Sequence, residues 1–415
     1  MKRYKLLNNV LGWVVFVIAA VTYILTLEST ASFWDCGEFI ASGYKLEVGH
    51  PPGNPIFMLT ARFFANFASS PSEVAYMVNL MSGLLSAATI LLLFWTITRL
   101  AQKIVLRDGE TEETMSLGQM IAILGCGLVG ALAYAWSDTF WFSAVEGEVY
   151  AYSSFCTALV FWLILKWESV ADLPHANRYI ILIAYIIGVS IAVHLLNLLC
   201  IPAIVLVYYY RKYKNTDLKG SLIALLVSFV LIVLLLYGLV PGFVEVASWV
   251  ELLFVNVFHL PFNSGVVFYF FLIVGVIAWA IYETYAQRSD KLIKISFLIS
   301  IVLVGIPFIG DGYIIGIVLT AALAYYLFTR KKLAVVAMNT ILLSLFVIFI
   351  GYSSYALIVI RSTANTPMDQ NSPEDIFSLG GYLNREQYGD RPLFYGQTFP
   401  AEIARDANGT AISTK

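Results

Sequence analysis

Residues 220–240, GSLIALLVSFVLIVLLLYGLV, form an apolar run without a single charged side chain. A helix of this length extends ~32 Å, which is enough to cross the hydrocarbon core of a bilayer. Backbone amides in lipid must be hydrogen-bonded within the segment itself, so the run is predicted to be a transmembrane helix. This stretch decides the fold class, because it places the chain among membrane proteins.

The composition of the whole chain agrees with that class. Of its 415 residues, 60% are hydrophobic and only 13% are charged, whereas soluble domains carry roughly 25% charged residues. The four cysteines are scattered without metal-ligand spacing, and they do not indicate a disulfide framework.

Ten further apolar runs accompany the first, which predicts an all-α polytopic membrane protein with eleven spans. The predicted spans lie near residues 10–27, 73–98, 118–136, 151–167, 179–193, 195–210, 220–240, 265–286, 293–309, 312–329 and 333–358. The fifth and sixth meet around His194 as a tight hairpin or one broken element. The first could instead be a secretory signal cleaved after STAS, but its length favours an uncleaved helix.

The composition changes after residue 360. Residues 1–360 are predicted to form the transmembrane domain, and the polar residues 361–415 the start of a periplasmic region or linker. Since this segment is too sparse in apolar residues to build a core, we expect the chain to be a truncated form of a longer protein.

Basic residues predict the orientation. Eighteen of the 25 Lys and Arg fall on alternate connections, whereas the opposite connections hold only Lys45 and Arg62. The positive-inside rule therefore predicts a cytoplasmic N-terminus and places the residues after 358 outside.

The first outer loop contains FWDCGEFIASGYKLEVGHPPGNP, residues 33–55. Asp35 and Glu38, at positions i and i+3, share one side of a helical turn. Under the aromatic cover of Phe33, Trp34 and Phe39, two neighbouring carboxylates are expected to raise one pKa and keep the other group ionised. The pair indicates a general base or a cation site, or else two ordinary solvated loop acids.

Other outer residues are candidates for contact with a ligand. His50 sits in a rigid HPPG turn. Glu146 and Glu148 form a second acidic pair, of which the i, i+2 spacing would let at most one face the first loop. His194 and Asn197 reach the same face, although a lone histidine in an apolar run is more often structural. Two loop segments, 56–67 and 241–265, are predicted to be interfacial helices.

The placement of the acids separates two classes of function. A transporter is expected to carry ionisable residues near the bilayer midplane, whereas these acids lie at the outer ends of the spans. This distribution favours an enzyme at the outer interface that takes a lipid-linked donor from the bilayer and an acceptor from water.

Four motifs resemble a known family. They are FWDCGEFIASGYKLEVGHPPGNPIF, FWFSAVEGEVYAYSSF, GVSIAVHLLNLLCIPAI and YLNREQYGDRPLFYGQTF. The chain is similar to a family of bacterial membrane proteins whose eukaryotic relatives are the protein O-mannosyltransferases of plexin-type receptors. That family is in turn similar to the GT-C glycosyltransferases.

The resemblance implies a GT-C-like fold and an inverting transfer from a polyprenyl-phosphate sugar, with mannose as the expected sugar and protein Ser/Thr as the expected acceptor. It implies the bacterial inner membrane as location, with membrane lipids but no nucleic acid as partners. No cofactor is required, and a divalent metal is possible but not favoured. The alternatives are a glycan or lipid acceptor, or a transporter or flippase of lipid-linked sugars.

The resemblance also implies roles for individual residues. Asp35 would be the catalytic base, and Glu38 would hold the acceptor or tune Asp35, unless their roles are reversed. His50 and His194 would contact phosphate or sugar. Lys45 and Arg62 are expected to bind the phosphate, because they are the basic residues of the outer loops between spans.

Overall fold

The computed structural model describes residues 2–107, 109–310, 313–330, 332, 334–389 and 405–410. Within these ranges the chain forms 17 α-helices and no strand, and its one β-type pairing is an isolated parallel bridge between Val48 and Asp369. The predicted all-α class is confirmed.

The helices are α1 (Lys2–Leu25), α2 (Cys36–Lys45), α3 (Pro55–Ala65), α4 (Val74–Val105), α5 (Leu117–Ala135), α6 (Asp138–Ala144), α7 (Val149–Val170), α8 (Arg178–Ile191), α9 (Ile201–Lys212), α10 (Leu218–Val233), α11 (Val240–Leu252), α12 (Ser264–Ala286), α13 (Asp290–Leu303), α14 (Tyr313–Thr329), α15 (Val335–Tyr352), α16 (Ala356–Ser362) and α17 (Ile376–Asn384).

Eight helical stretches in the described residues are long and apolar enough to cross a membrane, so the chain is a multi-pass membrane protein. They are Arg3–Leu25, Pro71–Val105, Leu117–Ala135, Val149–Val170, Leu195–Lys212, Leu218–Val257, Ser264–Ala286 and Val335–Ser362. The remaining three predicted spans fall on α8, α13 and α14, which have 14, 14 and 17 residues. A 14-residue helix is only ~21 Å long, and the count of eleven spans is therefore not confirmed.

The opening apolar run does not end where the sequence predicted. Two π-helical turns, Leu234–Leu239 and Leu253–Val257, keep α10 and α11 in one helical stretch that continues to Val257. Most of the predicted outer segment 241–265 is therefore a continuation of the helix that contains 220–240.

Close helix packing organises the bundle. Helix α4 packs against α1, α5 and α7, and α15 packs against α8 and α12. The crossing of α8 and α15 requires glycine, because a Cβ added to Gly188 would lie 2.6 Å from the carbonyl oxygen of Ile348. Small residues at such crossings let two backbones approach closely.

The loop that follows α2 is held by Arg361, at the end of the last apolar stretch, and by Tyr382 beyond it. The Arg361 guanidinium donates to the Leu46 carbonyl at 2.6 Å, and the Tyr382 hydroxyl donates to the Gly49 carbonyl at 2.5 Å. Helix α17 also packs on α11. The division at residue 360 stays a prediction, since 390–404 and 411–415 lie outside the described residues.

Candidate active site

Asp35 occupies the N-cap position of α2, and its side chain is exposed and makes no capping hydrogen bond. The prediction that three aromatic side chains cover Asp35 and Glu38 is wrong for two of the three. Phe33 and Trp34 are 76% and 90% exposed, and only Phe39 is buried. The turn before α2 sends the first two rings outward, and Trp34 adopts a φ of 60° there.

Glu38 forms a close pair with His50. Its Oε1 accepts from the His50 backbone N–H at 2.5 Å and lies 2.8 Å from the ring Nδ1. The neighbouring Gly49 makes room for the carboxylate, because a Cβ there would lie 2.7 Å from the same oxygen. The sequence thus places glycine where the loop backbone meets the acid.

This pairing sets the protonation of both groups. Burial alone would raise the pKa of Glu38, but the hydrogen bonds from His50 outweigh it and hold that pKa below its ordinary value. The hydrogen bond to Glu38 raises the pKa of His50 against the effect of burial. Because the hydrogen bonds from His50 lower the pKa of Glu38, the structure does not support a raised pKa for this member of the Asp35–Glu38 pair.

The raised carboxyl pKa values lie instead in the connection between α6 and α7. Glu146 and Glu148 are 5% and 7% exposed. Burial raises the pKa of Glu148 to about 7, assisted by the charges of Asp35 and Glu146 and opposed by a hydrogen bond from the Val149 N–H. Burial likewise raises the pKa of Glu146.

Both glutamates approach the first loop, contrary to the spacing argument. Glu146 interacts with the Cys36 thiol, and Glu148 with the charge of Asp35. The reason is that α6 ends at Ala144 and α7 begins at Val149, so the pair lies in a turn without helical periodicity. We call Asp35, Glu146 and Glu148 the acidic cluster.

Cys36 lies beside this cluster. Burial raises the pKa of its thiol to about 12, and the charges of Glu146 and Glu148 add to the effect. The thiol is therefore neutral at physiological pH and can donate to a carboxylate. In the described residues, no group of three or more His, Cys, Asp or Glu side chains is arranged to hold a metal ion.

His194 and Asn197 lie at the end of α8. The His194 Nδ1 accepts from the Leu196 N–H at 3.1 Å, and its ring lies 5.4 Å from that of Tyr150. Burial lowers the pKa of His194, and the charge of Arg385 acts in the same direction. Asn197 is fully buried, and neither side-chain polar atom has a hydrogen-bond partner among the described residues.

Lys45 and Arg62 are separated from the acidic cluster by the length of α2. The Lys45 ammonium lies 3.9 Å from Glu47 at the C-terminal end of that helix. The Arg62 guanidinium donates to the Tyr44 carbonyl at 2.5 Å and lies over the Tyr44 ring. Both side chains are thus engaged at the end of α2 opposite Asp35.

Arg385 is a cation that the sequence reasoning missed. It caps α17, its side chain is exposed, and its charge influences both His50 and His194. It also lines a cavity of about 1000 Å³ between α11 and α17. The sequence signal for Arg385 is its position in YLNREQYGD, part of one of the four motifs that carry the family resemblance.

Comparison with known proteins bears on the segment that carries these residues. Residues 35–217 match the model of the protein O-mannosyl-transferase TMEM260 N-terminal domain, and this match begins at Asp35. Over this segment the chain is similar to eukaryotic protein O-mannosyl-transferases. All the residues of the acidic cluster, with His50, His194 and Asn197, lie inside the matched segment, whereas Arg385 lies beyond it.

Two TMEM260 relatives define the extent of the similarity. The protein O-mannosyl-transferase TMEM260 of Mus musculus is 27% identical over 209 residues, which are 50% of this chain and 27% of the relative. That of Dictyostelium discoideum is 23% identical over 189 residues, 44% of this chain and 20% of the relative. The match therefore spans about a quarter of the length of these relatives. No solved structure matches the chain.

Proposed function

We propose that this chain is a membrane glycosyltransferase that moves a sugar from a polyprenyl-phosphate donor to a protein hydroxyl. The observation that carries the proposal is the convergence of two outer loops on the acidic cluster, within the segment that matches TMEM260. We place the reaction at the periplasmic face of a bacterial inner membrane, with mannose as the sugar.

Asp35 is the proposed general base. It is exposed at the start of α2, whereas Glu38 already accepts two hydrogen bonds from His50. In the proposed step, Asp35 takes the proton of the acceptor hydroxyl, and the oxygen forms a bond to the anomeric carbon. The bond from that carbon to the phosphate oxygen breaks, and its electron pair leaves with the phosphate. Attack opposite the leaving group inverts the configuration.

Glu148 is proposed to hold the acceptor. A carboxyl with a pKa of about 7 is present in both protonation states near neutrality, so it can accept from a hydroxyl or donate to one. Glu38 is assigned a positioning role, since it fixes His50 and the loop that follows α2.

The phosphate is proposed to lie near Arg385 and His50. The Nδ1 of His50 is used by Glu38, which makes Nε2 the ring atom that can donate to a phosphate oxygen. Arg385 supplies a permanent positive charge, and the adjoining cavity contains apolar side chains such as Trp249 and Phe308 beside it. We propose that this cavity receives the first isoprenoid units of the donor. Lys45 and Arg62 are not needed in this arrangement.

The proposal is tested with the purified chain in lipid vesicles, a radiolabelled polyprenyl-phosphate mannose and a Ser/Thr-rich peptide. Label transfer to the peptide that needs Asp35 supports the proposal. Transfer to a glycan or lipid alone would overturn the protein acceptor. Translocation of the lipid without sugar release, unchanged by Asp35→Asn, would overturn the enzyme assignment in favour of a flippase.

A further inference from the structure

A second polar cavity lies at the opposite end of the bundle from the acidic cluster. It has a volume of about 480 Å³ and is lined by residues of α1, α4 and α7 and by Glu112 from the connection between α4 and α5. At 1.5 Å per residue, Arg99 lies ~38 Å along α4 from Val74, which is at the end nearer the outer loops. The cavity is therefore too distant to belong to the proposed active site.

The charges of the lining are predominantly positive. Lys5, Arg99 and Lys166 face one carboxylate, that of Glu112. Glu112 lies 3.7 Å from the Lys5 ammonium and also accepts from the Gln102 amide at 3.4 Å. Neither Arg99 nor Lys166 has a carboxylate within ion-pair distance in the described part of the chain.

Two buried polar atoms of the lining residues also lack partners. The buried Nε of Arg99 and Oδ1 of Asn8 make no hydrogen bond within the described residues. A buried polar atom without a partner is destabilising, so these lining residues favour a polar occupant over an apolar one. An aromatic wall completes the space, since the rings of Trp95 and Trp162 lie 5.8 Å apart and the Lys166 ammonium lies 4.9 Å from the Trp162 centroid.

We propose that this cavity binds a phosphate group, supplied either by a phospholipid headgroup or by a soluble phosphate. Guanidinium and ammonium groups are the preferred protein partners of phosphate oxygens. Lys5, Arg99 and Lys166 lie near the ends of α1, α4 and α7, where transmembrane helices meet the headgroup region, so a lipid headgroup can supply the phosphate. The inference is independent of the proposed transferase, because none of its residues takes part in that reaction.

The test measures binding to the full chain by native mass spectrometry and thermal stability in detergent. One arm titrates phosphatidylglycerol, with an uncharged diacylglycerol of the same chains as reference, and the other titrates inorganic phosphate. The variant is Arg99→Gln/Lys166→Gln, and the matched control is Lys214→Gln/Lys219→Gln, which removes two exposed charges, one from the connection between α9 and α10 and one from the first turn of α10.

Phosphatidylglycerol binding that weakens about tenfold in the cavity variant but not in the control supports a lipid headgroup. The same pattern with inorganic phosphate supports a soluble ligand. Equal binding by wild type and variant, or equal loss in variant and control, overturns the proposal. If the double variant does not fold, Lys166→Gln alone decides between these outcomes, because its side chain is exposed and should tolerate the change.

Discussion

At the scale of single residues, Glu148 links protonation to stability. Its folded-state pKa of about 7 lies above the ordinary 4.5, so the folded state binds this proton more tightly than the unfolded state. The stabilising contribution is complete below pH 4.5 and is lost as pH rises through 7. The free energy of unfolding of Glu148→Gln, measured relative to that of the wild type, is expected to be about 2 kcal/mol higher at pH 8 than at pH 5.

Thermal unfolding of the two proteins at both pH values measures this gain. Glu245→Gln is a suitable control, because its side chain is exposed on α11. A pH-independent difference between Glu148→Gln and wild type would contradict the buried, protonatable carboxyl.

In the Glu38–His50 pair, the pKa of the acid is lowered, whereas the pKa of Glu148 is raised. The lowered pKa of Glu38 makes its contribution complete above pH 4.5 and lost as pH falls through the folded value. The raised pKa of His50 makes its contribution complete below pH 6.5 and lost as pH rises through the folded value. The pair is thus expected to stabilise most between pH 4.5 and 6.5.

A double-mutant cycle with Glu38→Gln and His50→Gln measures this coupling. We expect a coupling free energy of about 1 kcal/mol between the two side chains at pH 5.5 and a smaller one at pH 9. Additive losses at pH 5.5 would show that the two side chains do not interact. Transfer activity should fall in both single variants, because each loosens the loop on which His50 sits.

At the scale of elements, the crossing of α8 and α15 depends on the absence of side chains. A Cβ on Gly188 would meet the backbone of Ile348, whereas one on Gly275 in α12 would meet no atom within 4 Å. Gly188→Ala should destabilise the protein by about 1–3 kcal/mol through overpacking. Gly275→Ala should not, because it adds helix propensity without a clash.

Unfolding temperatures in detergent, with size-exclusion profiles, distinguish these variants. Equal stability of Gly188→Ala and Gly275→Ala would contradict the close approach of the two helices.

The elements also show what the sequence could predict. Continuous apolar runs identify helices reliably, because lipid leaves the backbone no other way to satisfy its hydrogen bonds. They do not reveal ends: α4 continues to Val105, well beyond the predicted 98, and π-helical turns carry α10 into α11. A helix end is decided by local capping and packing, which hydropathy does not contain.

In the candidate site, the sequence identified individual residues but not how they are grouped. Asp35, Glu146 and Glu148 could be found because they stand in two short connections directly beside long apolar runs. Their grouping depends on the turn between α6 and α7. Helical spacing predicts the wrong directions for Glu146 and Glu148, because these residues do not lie in a helix. Arg385 could not be placed near His50 from sequence, since their proximity depends on a tertiary contact between residues more than 300 positions apart.

At the scale of the whole molecule, basic residues are expected to face the cytoplasm. In a Cys126→Ala background the other three cysteines are buried, so introduced thiols can report on orientation. Asp138→Cys should react with a membrane-impermeant maleimide in intact cells, and Lys214→Cys only after permeabilisation. The reverse pattern would place the acidic cluster in the cytoplasm and exclude a periplasmic reaction.

The central proposal is that Asp35 acts as the general base in sugar transfer from a lipid-linked donor to the acceptor hydroxyl. Removing the base while keeping the side-chain shape should lower the transfer rate by a factor of roughly 10²–10⁴. Donor binding should be retained, because Asp35 is not proposed to hold the phosphate. Asp138→Asn is the matched control, since Asp138 is also an exposed acid in the outer loops, at the start of α6.

The most direct measurement is therefore the single-turnover rate of sugar transfer by Asp35→Asn and Asp138→Asn, with donor binding determined on the same preparations. We predict that Asp35→Asn binds donor as wild type does and transfers at least a hundredfold more slowly, whereas Asp138→Asn retains the wild-type rate. Transfer by Asp35→Asn at the wild-type rate would contradict the account.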